Sequence, residues 1–176
     1  MAALAPTADR GHLGQYESYF LNRVYATGAA PYFDAVAIQP FGFGNRPDDE
    51  PVNRHTLNFR RTLMIRQTML DAGDGETPIW LMRYGWSRPS DSTWPVVSSE
   101  NQINFTLEAL EMAYQRWPWV VGMGWPAFTP NRDDGTSGFV LTPELSEAFQ
   151  KASTTFLAQR RAHQTAITPL SVFAPL

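Results

Sequence analysis

Residues 78–86 read PIWLMRYGW. Pro78 opens the stretch, Ile79 to Met82 form a short apolar run, and Arg83, Tyr84, Gly85 and Trp86 follow. A run of large apolar residues bounded by turn formers is the pattern of a strand buried in a sheet. The arginine at its end calls for an explanation, because burying a charge is costly unless it is paired. The flanking sequence decides what kind of sheet this is. Upstream, Asn58–Leu70 places Leu63, Met64, Met69 and Leu70 on one side of a helix, and Asp71-Ala-Gly-Asp-Gly stops it. Downstream, a loop over Ser87–Val97 leads to a helix ending at Arg116, capped by Ser98 or Ser99; Ser99 with Gln102 fits a capping box. Trp117-Pro118 closes that helix, since proline disfavours a helical residue before it. The strand therefore sits between two helices.

The same alternation continues outward. Phe33–Pro40 has a nearly continuous apolar centre and is read as a strand, followed by a Gly-, Pro- and Asp-rich loop over Phe41–His55. Ahead of it, Gln15–Thr27 carries Tyr16, Tyr19, Phe20, Val24 and Tyr25 at roughly helical spacing, with Gly28 as its stop, and Ala2–Pro6 is a short apolar run. Beyond the central stretch, Val120–Trp125 is a fourth strand and Pro126–Gly138 a loop. Thr142-Pro143-Glu144 opens a last helix that reaches about His163. Strand followed by helix, four times over, predicts an α/β fold with a parallel sheet. Residues 1–164 are expected to form one domain and 165–176 an irregular tail. Three of the four strands are followed by long loops, which in such folds carry the function.

Composition narrows the choice of activity. The chain has 176 residues, 43% of them hydrophobic, enough for one domain with a real core. Its net charge is -3 and Lys151 is its only lysine, so a nucleic-acid partner is not expected. Cysteine is absent, which removes disulfides and thiolate metal sites. No apolar run reaches the roughly 18 residues of a membrane span. The opening MAALAPTADRG has no cationic segment followed by a long apolar one, so no signal peptide is read from it. His12, His55 and His163 lack ligand spacing, and no phosphate-binding glycine motif or Gly-x-Ser-x-Gly is present, so neither metal nor cofactor is expected.

The segments YFDAVAIQPFGFG, FRRTLMIRQTMLDAGDGETPIWLMRYGWS and QINFTLEALEMAYQRWPWVVGMGW together resemble the second half of a clan A glycoside hydrolase barrel, nearest to the bacterial cellulase-like and xylosidase-like group. The resemblance runs from about Ala2 to Phe149. It implies that the four strands are the fifth to eighth of a (β/α)8 barrel, a partial TIM-type barrel, with the first four units upstream of Met1. Family members are often secreted. Retaining members use two carboxylates about 5 to 5.5 Å apart. By the resemblance the acid/base would end the fourth strand, and the position matching the nucleophile is Arg83. Where the family usually has His-Pro-Tyr at the end of the sixth strand, this chain has Gln39-Pro40-Phe41. Arginine cannot serve as an anionic nucleophile. No catalytic residue is therefore assigned, and the resemblance implies a carbohydrate-active homologue without hydrolytic activity of its own.

Candidate ligand-binding residues are Gln39, Phe41, Arg83, Tyr84, Trp86, Trp94 and Trp125. Arg83 could hold an anionic sugar, although a structural ion pair with an acidic neighbour is the commoner use of such an arginine. Trp86, Trp94 and Trp125 could stack on sugars or pack loop against sheet. Trp80 reads as core, Trp117 and Trp119 as structural. Phe59-Arg60-Arg61 reads as a solvated, ion-paired turn, and Asp48, Asp49 and Glu50 as a solvated loop rather than a metal site. Half a barrel would expose two strand edges and an apolar interior. A partner chain supplying the first half, pairing of two copies, and a gene fragment are all compatible with that. The alternative functions are a non-catalytic carbohydrate-binding or subunit protein, or an O-glycosyl hydrolase completed by a second chain.

Overall fold

In the computed structural model, four short strands lie side by side in chain order, all parallel. They are β1 (Ala2–Leu4), β2 (Val36–Ile38), β3 (Ile79–Leu81) and β4 (Val120–Met123). Between them run α1 (Glu17–Ala26), α2 (Thr62–Asp71) and α3 (Ser99–Arg116). The structure describes residues 2–4, 16–50, 52–90, 94–128 and 136–167. The strand, helix, strand order and the parallel sheet expected from the sequence are thus observed. Residues 1–141 form one unit containing the sheet; residues 142–176 form a second, containing α4 (Pro143–Ile167). In that second unit Thr142 Oγ1 accepts from the Leu145 amide at 3.2 Å, the expected cap. The helix passes Thr165, where an irregular tail was expected, and residues 168–176 lie outside those described.

Parallel neighbours in chain order need crossovers, which are nearly always right-handed, and that places α1, α2 and α3 on one face of the sheet. Burial along β3 agrees. Ile79 and Leu81 are fully buried, whereas Trp80 between them is 42% exposed. Trp80 was read as core and is instead on the uncovered face. Its indole lies across Gly122 of β4, where a Cβ would come within 2.5 Å of the ring. The core forms on the helix side, from Val36, Ile38, Ile79 and Leu81 with Leu21, Ile65, Met69, Phe105 and Ala109.

The helices start and stop for local reasons. Gly28 and Gly73 follow α1 and α2 with φ of +74° and +78°, the left-handed turn that ends a helix and that glycine adopts without strain. Asn58 caps a 3₁₀ turn, Phe59–Arg61, that leads into α2; its side chain accepts from the Arg61 amide at 3.1 Å. The buried stripe of α2 is Thr62, Ile65, Thr68 and Met69; Leu70, expected inside, is exposed. Ser98 rather than Ser99 caps α3, accepting from Asn101 N at 3.1 Å. Gln102 is therefore not half of a capping box. It is buried, and its amide donates to Trp86 O at 2.7 Å and Gly138 O at 2.9 Å.

Candidate functional site

The C-terminal ends of β2, β3 and β4 stay tied together past the strands. Met82 N donates to Ile38 O at 2.8 Å, Tyr84 N to Gly124 O at 3.2 Å, and Gly42 N to Gly85 O at 3.0 Å. Phe41 and Gly85 form a further parallel bridge. These bonds bring Gln39, Arg83 and Trp125 onto one rim, at the end of the sheet where a parallel α/β fold presents its loops. Arg83 sits at a bend and is exposed. Among the described residues it has neither an ion pair nor a hydrogen bond through its side chain. The acidic partner that would make it a structural residue is not found there. The half-buried amide of Gln39 likewise has no side-chain hydrogen bond among the described residues.

The candidate aromatics separate into two groups. Phe41, Phe43, Trp94, Trp125, Phe139 and Ala127 pack together at the strand ends. The Phe41 and Trp94 rings lie 4.7 Å apart edge to face, and Trp94 stacks on Phe43 at 5.3 Å. Trp125 is half-buried, its indole N–H donates to Phe139 O at 2.6 Å, and its ring lies against Gly85. A Cβ at Gly85 would meet that ring at 2.6 Å, and its φ of +134° also favours glycine. Trp86 belongs to the other group. It is fully buried against Phe59 and Phe105, with its N–H on Asn45 O at 2.6 Å. Tyr84 is also buried; it meets Phe59 at 6.2 Å and Trp125 at 5.9 Å, and burial pushes its phenol well above the usual tyrosine range. The rim thus carries Gln39, Arg83 and the half-buried Trp125 and Trp94, while Phe41, Tyr84 and Trp86 sit in the packing beneath.

One polar cluster escaped the sequence reading. Arg61 is buried, not solvated, and forms a two-pronged ion pair with buried Glu17 of α1, one prong measuring 2.9 Å between Nη2 and Oε2. Its Nη1 donates to Asn53 O and Thr56 O, both at 2.9 Å, so the guanidinium also holds the loop after β2. Every nitrogen of the side chain is engaged, which lets the charge be buried. The partners lie 44 residues apart, and neither carries a local signal of the pairing. Arg60, next to it, is the expected surface turn, paired with Glu50 at 2.5 Å, and Asp48 pairs with Arg46 at 3.2 Å. The Glu17–Arg61 pair, Gln39, Phe41 and Asn58 line a recess of about 10 Å³. A single water needs roughly 10–15 Å³ on this measure, so the recess is water-sized and not a sugar site.

Among the described residues, no group of three or more His, Cys, Asp or Glu is placed to hold a metal ion, and no helix is long and apolar enough to cross a membrane. No protein family and no curated protein matches this chain.

Proposed function

We propose that this chain is a carbohydrate-active relative of the glycoside hydrolases, binding glycan at the strand ends without cleaving it. The observation that carries the reading is Arg83, an exposed guanidinium without an acidic partner among the described residues, at the end of β3. Support comes also from the order of the sheet. Parallel strands in chain order with intervening helices are what one half of a (β/α)8 barrel would contain. Chemistry argues against turnover. Residues 39–42, 82–86 and 124–126, at the ends of β2, β3 and β4, include no aspartate or glutamate. A retaining mechanism needs a carboxylate nucleophile and a carboxyl acid, and these strand ends supply neither.

The test is release of nitrophenol from β-linked glucosides, xylosides and mannosides by the purified chain. No release above background is expected. Turnover that disappears on mutating one acidic residue would overturn the reading.

A second reading, that the chain acts as a subunit, is favoured by the open face of the sheet. Trp80 and Met82 are 42% and 44% exposed, and β1 and β4 each have one strand neighbour among the described residues. Exposed parallel edges and apolar side chains favour association with a second copy or with a partner chain supplying further strands. Light scattering decides this: self-association supports it, and a monodisperse monomer with a cooperative melt and sharp near-ultraviolet aromatic signals counts against it.

A further inference from the structure

We infer that the glycan held at the strand ends is anionic, a uronic acid whose carboxylate is bound by Arg83. This rests on the carbohydrate reading above and adds the charge of the ligand. Several other arginines already have roles. Arg46 and Arg60 pair with Glu108 and Glu50, Arg61 is buried on Glu17, and Arg66 donates to Gly75 O and Thr77 O. Arg23 and Arg116 lie in the last turns of α1 and α3, where a cation complements the helix dipole, at the opposite end of the sheet. Arg83 is set at the end of a central strand, and among the described residues no acidic side chain pairs with it. Pro40 follows Gln39 on one side, and Gly124 accepts the Tyr84 amide on the other.

A guanidinium presents a planar fork that fits a carboxylate with two parallel hydrogen bonds, and it stays charged at any pH the fold tolerates. A neutral sugar would leave that charge uncompensated as water is displaced, whereas a uronate would neutralise it. The remaining groups on the rim suit a sugar ring. The Gln39 amide has no side-chain hydrogen bond among the described residues, and an amide can donate to one hydroxyl and accept from another. Trp125 is half-buried with its N–H on Phe139 O, and an indole meets a pyranose through its face, on the sugar's apolar side.

The probes are a xylotetraose carrying a glucuronic acid branch and the same oligosaccharide with its carboxylate reduced to the alcohol, titrated calorimetrically against the whole chain. The acid form is expected to bind at least about tenfold more tightly, the scale of one charge-assisted hydrogen-bonding pair. Arg83→Gln should remove that preference, so that the acid and reduced forms bind equally; Arg83→Lys should keep part of it. Because Arg83 is exposed, both variants should melt with the parent protein. Equal binding of the two probes overturns the anionic assignment and leaves the carbohydrate reading standing. Failure of both probes to bind removes the carbohydrate reading, and this inference with it.

Discussion

Trp86 and Trp125 look alike in the sequence: each follows a glycine just past the end of a strand. In the fold they have opposite fates. Trp86 is fully buried, its ring wedged against Gly42 so closely that a Cβ there would fall within the indole. Trp125 stays half-buried at the rim, resting on Gly85. Both satisfy their N–H on a loop carbonyl, Asn45 O for one and Phe139 O for the other, so hydrogen bonding does not separate them. What separates them is the loop each one meets. Trp86 is covered by the loop after β2 and by Phe105 of α3, whereas Trp125 rests on buried Tyr84 and Phe139 and keeps part of its surface exposed. An aromatic residue after a strand is therefore a neutral sign, and exposure decides whether it can meet a ligand.

The comparison is broken most directly by truncating each indole. Trp86→Ala should destabilise the protein by about 3–5 kcal/mol, the usual cost of emptying a fully buried aromatic site. Trp125→Ala should cost roughly half as much, in proportion to the smaller area it removes from water. Urea titrations of both variants check this, read at the midpoint with the slope held constant. Equal losses would mean that Trp125 is a core residue and that the rim has no aromatic platform of its own.

A smaller effect tests why Trp86 is held where it is. The Gln102 amide donates to the carbonyls of Trp86 and Gly138, joining α3 to two loops that flank the site. Gln102→Leu keeps most of the volume but removes the donor from Trp86 O, while Gly138 O keeps the Arg88 amide at 3.0 Å. The expected cost is about 1–3 kcal/mol, the penalty for stranding a buried polar group. An unchanged urea midpoint would show that the loops are positioned by the aromatic packing alone.

Much of the fold could be read in the sequence because its signals are local. The Gly28 and Gly73 stops, the Asn58 to Arg61 turn, the Trp117-Pro118 stop and the Thr142 cap each act within a few residues, and the alternation of strand and helix followed from them. The misreadings share one cause. Arg61 reads as solvated because Glu17 is remote in sequence. Trp80 reads as core from its place in mid-strand, but an apolar mid-strand residue is buried only where both faces of the sheet are covered. Gln102 was assigned to a cap because the spacing fits one, while its true partners lie 16 and 36 residues away. At the candidate site the residue types were visible in the sequence, but the division into rim and buried layer was not, since it depends on loops that cross between strands.

The smallest expected effect lies one turn along α3 from Gln102 and carries the opposite sign. Thr106 is fully buried on the same helix face, yet among the described residues its hydroxyl has no hydrogen-bond partner, whereas Gln102 has two acceptors. A buried hydroxyl without a partner has given up its bonds to water and gained nothing in return. Valine has the same branching at Cβ and so keeps the same rotamer in the helix, with a methyl in place of the oxygen. Thr106→Val should therefore leave stability unchanged or raise it by up to about 1 kcal/mol, since the desolvation cost is removed and no bond is lost. If the variant instead melts earlier by a margin matching about 1 kcal/mol or more, the hydroxyl has a partner, and an ordered water bridging it to a nearby carbonyl is the natural one. In that case the polar stripe of α3 would consist of two satisfied residues, and Gln102 would no longer stand out as the side chain that pins the loops.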